Sequence, residues 1–172
     1  PGLIGDAGNS SDTTAANITG PSGSAGDATS VASVNENLTT VATFSANETV
    51  TWSLNGGVDA SKFTINSSTG ALSFASAPDF ETPTDDDLGN NYVVVVRATD
   101  SGSNTSDQTV TVTVADVDDT NPLITGNTGS AGATASTKTI SENSTAVHTF
   151  TADETVTWSL SGGADAALFA ID

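Results

Sequence analysis

The sequence predicts an all-β protein built from tandem seven-stranded Greek-key β-sandwiches, the second of which is incomplete in this chain. Thr and Val are abundant while Leu, Lys and Glu are scarce, a balance that favours strands over helices. Short apolar clusters alternate with Gly, Pro and Asn turns, and no segment has convincing helical periodicity. Many short strands at this spacing are typical of a β-sandwich.

A long internal repeat sets the predicted domain organisation. Residues 18–66 and 124–172 align without gaps at an offset of 106, and 28 of the 49 positions are identical. A unit of this length is large enough to be a domain. The predicted organisation is a linker or the tail of a preceding unit at 1–17, a complete repeat at 18–119, a linker at 120–123, and the N-terminal half of a second repeat at 124–172.

The first repeat contains seven predicted strands. The longest are 92–99, in which Tyr92, Val94 and Val96 share one face, and 109–115, in which Val alternates with Thr. The other predicted strands are 31–34, 39–44, 50–54, 63–65 and 71–74.

Composition and charge exclude several classes of function. The chain has 21 Asp and Glu against 3 Lys and Arg, a net charge of −18, which argues against nucleic acid and anionic membranes as partners. There is no Cys and no apolar run long enough to span a membrane. The sequence has no phosphate loop, nucleophile elbow or zinc pattern, and its one His, His148, is predicted to be an exposed strand residue. We therefore expect no enzyme activity.

The acidic residues concentrate where three predicted turns meet at one pole of a seven-stranded sandwich. These residues are Glu36, Asp79, Glu81, Asp116, Asp118 and Asp119. Carboxylates gathered in a small volume repel one another, and the three basic side chains of the chain are too few to compensate. A hard divalent cation can compensate, and Ca²⁺ accepts such a crowded oxygen cluster more readily than Mg²⁺. The alternative is that these acids are solvated turn residues.

Four motifs in this order resemble those of the cadherin repeats, in their bacterial cadherin-like form. Asn35-Glu36-Asn37 resembles the family's Pro-Glu-Asn, and Asp-Phe-Glu at 79–81 resembles Asp-Arg-Glu. Arg-Ala-Thr-Asp at 97–100 resembles Ala-x-Asp, and 116–122 resembles Asp-x-Asn-Asp-Asn-x-Pro. At 151–153, Thr-Ala-Asp stands where the family has Asp-x-Asp. The resemblance implies a cadherin-type, immunoglobulin-like sandwich.

The resemblance also implies a calcium-binding linker at 120–123, because in that family the linker between domains binds up to three Ca²⁺ ions. The implied ligands are Glu36, Asp79, Glu81, Asp116, Val117, Asp118, Asp119, Thr120 and Asp153, with Val117 and Thr120 acting through backbone carbonyls. Asn47 and Asp100 belong by the same logic to the opposite pole. Because Asp6 and Asp12 are the only acids before residue 18, we expect a degenerate or empty site there.

The function implied is a calcium-stiffened structural or adhesive repeat of a large extracellular surface, filament or matrix protein. Its implied partners are calcium ions and other repeats or copies of the same protein, including partners that complete the second sandwich by donating strands.

The alternative function is a carbohydrate- or protein-ligand-binding module of a secreted protein, which requires exposed aromatics such as Phe80 or Tyr92. Trp52 and Trp158 are either core indoles or platforms for a sugar, and their alternation with polar neighbours favours the core. For residues 85–87, three consecutive Asp, both a polar turn and an ion site remain open.

Overall fold

A computed structural model describes residues 12–172 and divides the chain into two units, one ending at Val117 and one beginning at Asp118. Residues 1–11 of the predicted linker, including Asp6, lie outside the described residues.

The regular secondary structure of the first unit is almost entirely β-strand. They are β1 (Ile18–Thr19), β2 (Thr29–Asn35), β3 (Thr40–Thr43), β4 (Ser45–Ala46), β5 (Thr51–Leu54), β6 (Phe63–Ile65), β7 (Ala71–Phe74), β8 (Asn91–Thr99) and β9 (Thr105–Ala115). One turn of 3-10 helix at Ala60–Lys62 joins β5 to β6. All seven predicted strands are present, and β1 and β4 are two-residue additions.

Two sheets form the predicted sandwich. The larger sheet has the order β2-β9-β8-β5, with β2 parallel to β9 and the other pairs antiparallel. The smaller sheet has the order β3-β7-β6, and β1 pairs with β4 as a separate ribbon. The prediction of an all-β sandwich is confirmed.

Strand β9 begins at Thr105, before the predicted start at residue 109. Its polar first residues pair with the end of β8, where Asp107 lies opposite Arg97. The Arg97 guanidinium donates two hydrogen bonds of 2.7 Å to the Asp107 carboxylate, from Nε and from Nη2. Side-chain pairing across the ladder thus extends a strand that alternation of apolar residues alone does not reveal.

The core lies between the sheets and uses the predicted alternation. Residues 92, 94, 96 and 98 of β8 are all buried, as are 110, 112 and 114 of β9. The rings of Phe63 and Phe74 stack at 4.6 Å, and Tyr92 meets Phe74 edge-on at 5.1 Å. Trp52 is 5% exposed and packs against Phe44, which confirms its prediction as a core indole.

The turn from β6 to β7 depends on a glycine. Asn66 Oδ1 accepts hydrogen bonds from the Ser68 and Thr69 N–H groups, and Gly70 closes the turn with a φ of 71°. A Cβ on Gly70 would lie 2.7 Å from the Phe44 carbonyl oxygen and 2.9 Å from Trp52 Nε1. Both the positive φ and the close approach of the indole therefore require Gly at this position.

The second unit repeats the first ribbon. Strand β10 (Ile124–Thr125) pairs with β11 (Thr151–Ala152) in the register of β1 and β4, shifted by the repeat offset. A turn of 3-10 helix at Ala166–Leu168 likewise matches the one at Ala60–Lys62. No helix among residues 12–172 is long and apolar enough to cross a membrane.

The second copy of the Trp segment does not form a strand. Residues 157–160 have the sequence of β5, yet they are irregular and Trp158 is only half-buried. In the first unit, β5 obtains its hydrogen bonds from β8. Residues 157–160 pair with no strand among the described residues.

Candidate metal centre

The centre of the acidic pole is Glu36, which follows β2 directly and is 2% exposed. Its Oε2 accepts a hydrogen bond from the Phe80 N–H at 2.8 Å, and its Oε1 accepts one from the Val117 N–H at 2.8 Å. The Glu36 N–H donates to the Ala115 carbonyl at the end of β9, so the backbone also holds this residue in place. One carboxylate thereby joins the end of β2, the loop before β8 and the end of the first unit.

The next residue, Asn37, turns the chain after β2. Asn37 adopts a left-handed conformation, with a φ of 63°, and its N–H donates to the Pro78 carbonyl at 2.9 Å. Asn tolerates this conformation better than most residues with a side chain. The Asn-Glu-Asn motif therefore turns the chain sharply after β2 and docks it on the loop that carries Asp79 and Glu81.

Three carboxylates converge at this pole. Oxygen atoms of Glu36, Asp79 and Glu81 all lie within 4.8 Å of one another, with Glu36 buried and the other two exposed. Asp79 Oδ1 accepts the Thr82 N–H at 3.0 Å, which orients it within its turn. The structure thus brings together three of the residues that the sequence pattern selects.

Glu36 is charged at neutral pH. The N–H groups of Phe80 and Val117 lower the pKa of its carboxyl, and these hydrogen bonds outweigh the opposing effect of burial. A carboxylate oxygen has more than one lone pair, so each Glu36 oxygen can accept an N–H and still contact a cation. Only oxygen ligands are offered here, which suits a hard cation such as Ca²⁺.

The other selected residues of this pole are exposed. Asp116 and Val117 follow β9 at the end of the first unit, and Val117 contacts Glu36 through its N–H. Asp118, Asp119 and Thr120 begin the second unit and are exposed as well. Within that unit, Asp153 Oδ1 accepts the Leu123 N–H at 2.8 Å.

The opposite end of the β8–β9 ladder carries a second acidic cluster. Oxygen atoms of Asp12, Glu48 and Asp100 lie within 4.8 Å of one another. The sequence predicts a degenerate or empty site here, because Asp12 and Asp6 are the only acids before residue 18. Glu48, which the sequence pattern does not select, supplies the third carboxylate. The signal that could have found it is its position beside Asn47 in the best-matched segment of the repeat.

The two residues selected for that end take different positions. Asn47 Oδ1 accepts the Asn17 N–H at 2.6 Å, so this side chain holds the segment that precedes β1. Asp100 is buried and accepts the backbone N–H and the side-chain Nδ2 of Asn104, both at 2.8 Å. Of the two, Asp100 belongs to the three-carboxylate cluster.

The second unit reproduces part of this arrangement. At the repeat offset, Asp12, Asn47 and Glu48 correspond to Asp118, Asp153 and Glu154. Partial burial raises the pKa of Glu48, and the charges of Asp12 and Asp100 add to the rise. Partial burial likewise raises the pKa of Glu154, helped by Asp118 and Asp153. Both Glu residues therefore lie in negative surroundings that a cation would relieve.

Aromatic side chains in the first unit serve the core. Tyr92 is 1% exposed, and Phe80 is partly buried against the core, so neither forms an exposed platform for a ligand. In the second unit, His148 is exposed as predicted, although it lies outside any strand and packs edge-on against Phe150.

The first unit matches a known family of domains. The cadherin domain model matches residues 30–115, which is half of the chain. A comparison with curated proteins found no match.

The solved structures that are similar to the chain include two cadherin fragments. Mouse cadherin-23 EC22-24 has 21% sequence identity and a TM-score of 0.51, and the alignment covers 64% of this chain and 36% of that one. Drosophila N-cadherin EC1-4 has 24% identity and a TM-score of 0.50, and the alignment covers 64% of this chain and 27% of that one. At these identities the likeness concerns the fold, and the chain matches only a minor part of each structure's length. Together with the sandwich topology, the family match shows that the chain belongs to the cadherin family, whose domains are structural and adhesion modules rather than enzymes.

Proposed function

We propose that this chain is a calcium-stiffened repeat segment of a large extracellular adhesive, filament or matrix protein. The observation that supports this most is the position of Glu36. Its carboxylate belongs to a cluster of three acids and also accepts the N–H of Val117, the last residue of the first unit. A cation bound to this cluster would fix the carboxylate that binds Val117, after which the second unit begins.

Charge explains why a cation is needed for stiffness. The segment 116–119 contains three Asp, and it directly follows the strand that ends beside the Glu36 cluster. Without a cation, repulsion among these carboxylates favours conformations that separate them. Extracellular calcium modules bind Ca²⁺ at roughly 10⁻⁴–10⁻³ M, which suits a site that stays filled outside the cell.

The ligands that this proposal assigns to the ions come from both units. Glu36, Asp79, Glu81 and Asp116, with the Val117 carbonyl, belong to the first, whereas Asp118, Asp119, Asp153 and the Thr120 carbonyl belong to the second. Binding favours only those conformations that assemble the ligands, so occupancy is coupled to the angle between the units.

Small-angle scattering of the chain with Ca²⁺ and with a chelator tests the proposal. We expect a larger radius of gyration and slower proteolysis at 116–122 in Ca²⁺, and we expect Glu36→Gln to behave in Ca²⁺ as the wild type does in chelator. The matched control is Glu142→Gln, at the exposed counterpart of Glu36 in the second unit. Identical scattering of the wild type in both conditions would refute the stiffening.

Other repeats or copies of the same protein are the partners we propose. The second unit exposes large apolar side chains that strands of another repeat could cover. These include Phe150, Leu160, Leu168 and Phe169. Such complementation joins units head to tail. Sedimentation of the chain should show association that increases with concentration and weakens in Leu168→Ser/Phe169→Ser, and a monomer at all concentrations would contradict it.

A further inference from the structure

The loop between β7 and β8 buries two side-chain oxygens that have no hydrogen-bond partner. Asp85 is 3% exposed and Asn90 is 9% exposed, and the Oδ1 atom of each lacks a donor. Within residues 12–172 these are the only two buried side-chain N or O atoms in that condition. Burying an unpaired carboxylate or amide oxygen is costly, so each of these atoms calls for a partner such as an ion or a water.

A second carboxylate converges on Asp85. The Gly89 N–H donates to Asp85 Oδ2 at 2.9 Å and also to Asp87 Oδ1 at 3.1 Å, so both side chains are directed at the same backbone atom. Asp85 Oδ2 accepts the Asn91 N–H as well, at 3.3 Å. One N–H shared between two acids cannot neutralise both of them.

No basic side chain provides the missing positive charge. Among the residues that the structure describes, the only ion pair is the one between Arg97 and Asp107. Neither Lys62 nor Lys138 forms an ion pair with an acid of the described chain.

The loop is held firmly enough to present these oxygens. Asp59, which is 3% exposed, accepts the N–H groups of Asp86 and Val93 at 2.8 Å each. Asn90 Nδ2 donates to the Phe80 carbonyl at 2.9 Å, which fixes the amide that carries the unpaired Oδ1. A site held in place before binding loses less conformational entropy when the ligand arrives.

We propose that residues 85–90 bind a hard divalent cation, Ca²⁺, with the carboxylates of Asp85 and Asp87 and the side-chain oxygen of Asn90 as ligands. All three donors are oxygens, which Ca²⁺ accepts in flexible geometry. The site lies within one repeat and is distinct from the Glu36 cluster. Its occupancy orders the connection between the two sheets and does not depend on the linker.

Calcium titration of the ¹⁵N-labelled full chain, followed by NMR at the amides of Gly89 and Asn91, tests the proposal. We expect both resonances to shift saturably. In Asp87→Asn the apparent affinity should fall by about tenfold or more, because even residues that only orient metal ligands change affinity by about 10–100-fold. Asp87 is exposed, so its substitution removes one proposed ligand while the buried Asp85 stays in the chain.

Two control variants distinguish binding at this loop from a general effect of charge and from binding at the Glu36 cluster. Asp86→Asn removes the same charge from an exposed neighbour and should leave the titration unchanged. Glu36→Gln should also leave the Ca²⁺ titration of the 85–90 loop unchanged, including under conditions in which this variant abolishes stiffening of the linker.

Three outcomes would overturn the proposal. The first is that the Gly89 and Asn91 resonances of the wild type do not shift with Ca²⁺. The second is that Asp86→Asn and Asp87→Asn lose apparent affinity equally. The third is that the shifts disappear in Glu36→Gln. If magnetisation transfer detects a buried water at Asp85 and Ca²⁺ does not shift the loop resonances, the water is the partner of Asp85, and this result counts as the first outcome.

Discussion

Glu36 Oε1 accepts a hydrogen bond from the Val117 N–H across a sequence separation of 81 residues. This contact ties the turn after β2 to Val117, the last residue of the first unit, and the Glu36 carboxylate that makes it is buried. Oxygen atoms of Glu36, Asp79 and Glu81 lie within 4.8 Å of one another. The carboxylate that binds the Val117 N–H is therefore also part of the candidate ion site.

Substitution of Glu36 by Gln should weaken calcium binding by about tenfold or more, since it removes the charge at the centre of the cluster. Gln keeps one acceptor for an N–H but replaces the other oxygen with a donor, which faces a backbone N–H in the present geometry. Isothermal calorimetry measures the effect. Glu142→Gln, the exposed counterpart, should bind as the wild type does, and equal loss in both variants would show a general effect of charge.

Asp119→Ala should reduce calorimetric binding at more than one ion, because the proposed function assigns Asp119 as a ligand shared between ions. The measured stoichiometry should fall together with the affinity. An unchanged isotherm in this variant would remove Asp119 from the site.

Glu48→Gln should raise the melting temperature in chelator at neutral pH. A carboxyl whose folded pKa is raised contributes stability below its unfolded pKa, about 4.3, and loses it as the pH rises through the folded value. Burial and the charges of Asp12 and Asp100 raise the pKa of Glu48, so its ionisation disfavours the folded state at neutral pH.

The gain in Glu48→Gln should therefore shrink as the pH falls through the folded pKa towards about 4. Thermal melts across this range, with Glu142→Gln as the control, measure it. A difference from the wild type that stays constant with pH would show that the carboxyl charge is not its source.

Trp52→Ala should lower the free energy of unfolding of the first unit by about 3–5 kcal/mol, because it empties a buried position against Phe44. Trp158→Ala removes the same side chain from the same local sequence, but the indole there is half-buried, so its cost should be much smaller. Urea denaturation followed by circular dichroism compares the two. Equal costs would mean that the second indole is packed as tightly as the first.

Local patterns in the sequence were sufficient for the strands of the sandwich. Alternate Val residues in β8 and β9 predicted which side chains are buried, because successive residues of a strand point to opposite faces. The acidic turns after β2 and before β8 predicted the group formed by Glu36, Asp79 and Glu81, since the topology brings these turns to one end.

Other contacts could be identified only from the folded chain. Carboxylate oxygens of Asp12, Glu48 and Asp100 lie close together in the folded chain. These three residues are far apart in the sequence, and no spacing pattern links them. That the side-chain oxygens of Asp85 and Asn90 are unpaired follows from their burial in the folded chain. The run of three Asp alone left both a polar turn and an ion site open.

The repeated Trp segment separates the two kinds of information most clearly. The sequence alone showed that residues 47–57 and 153–163 are copies, and alternation of apolar residues predicted the strand at 50–54 in the first copy. Tertiary structure decided that residues 51–54 form a strand while 157–160 remain irregular. A strand takes its hydrogen bonds from a neighbouring strand, and only the first copy has β8 beside it. Identical residues therefore bury one indole fully and the other only in part.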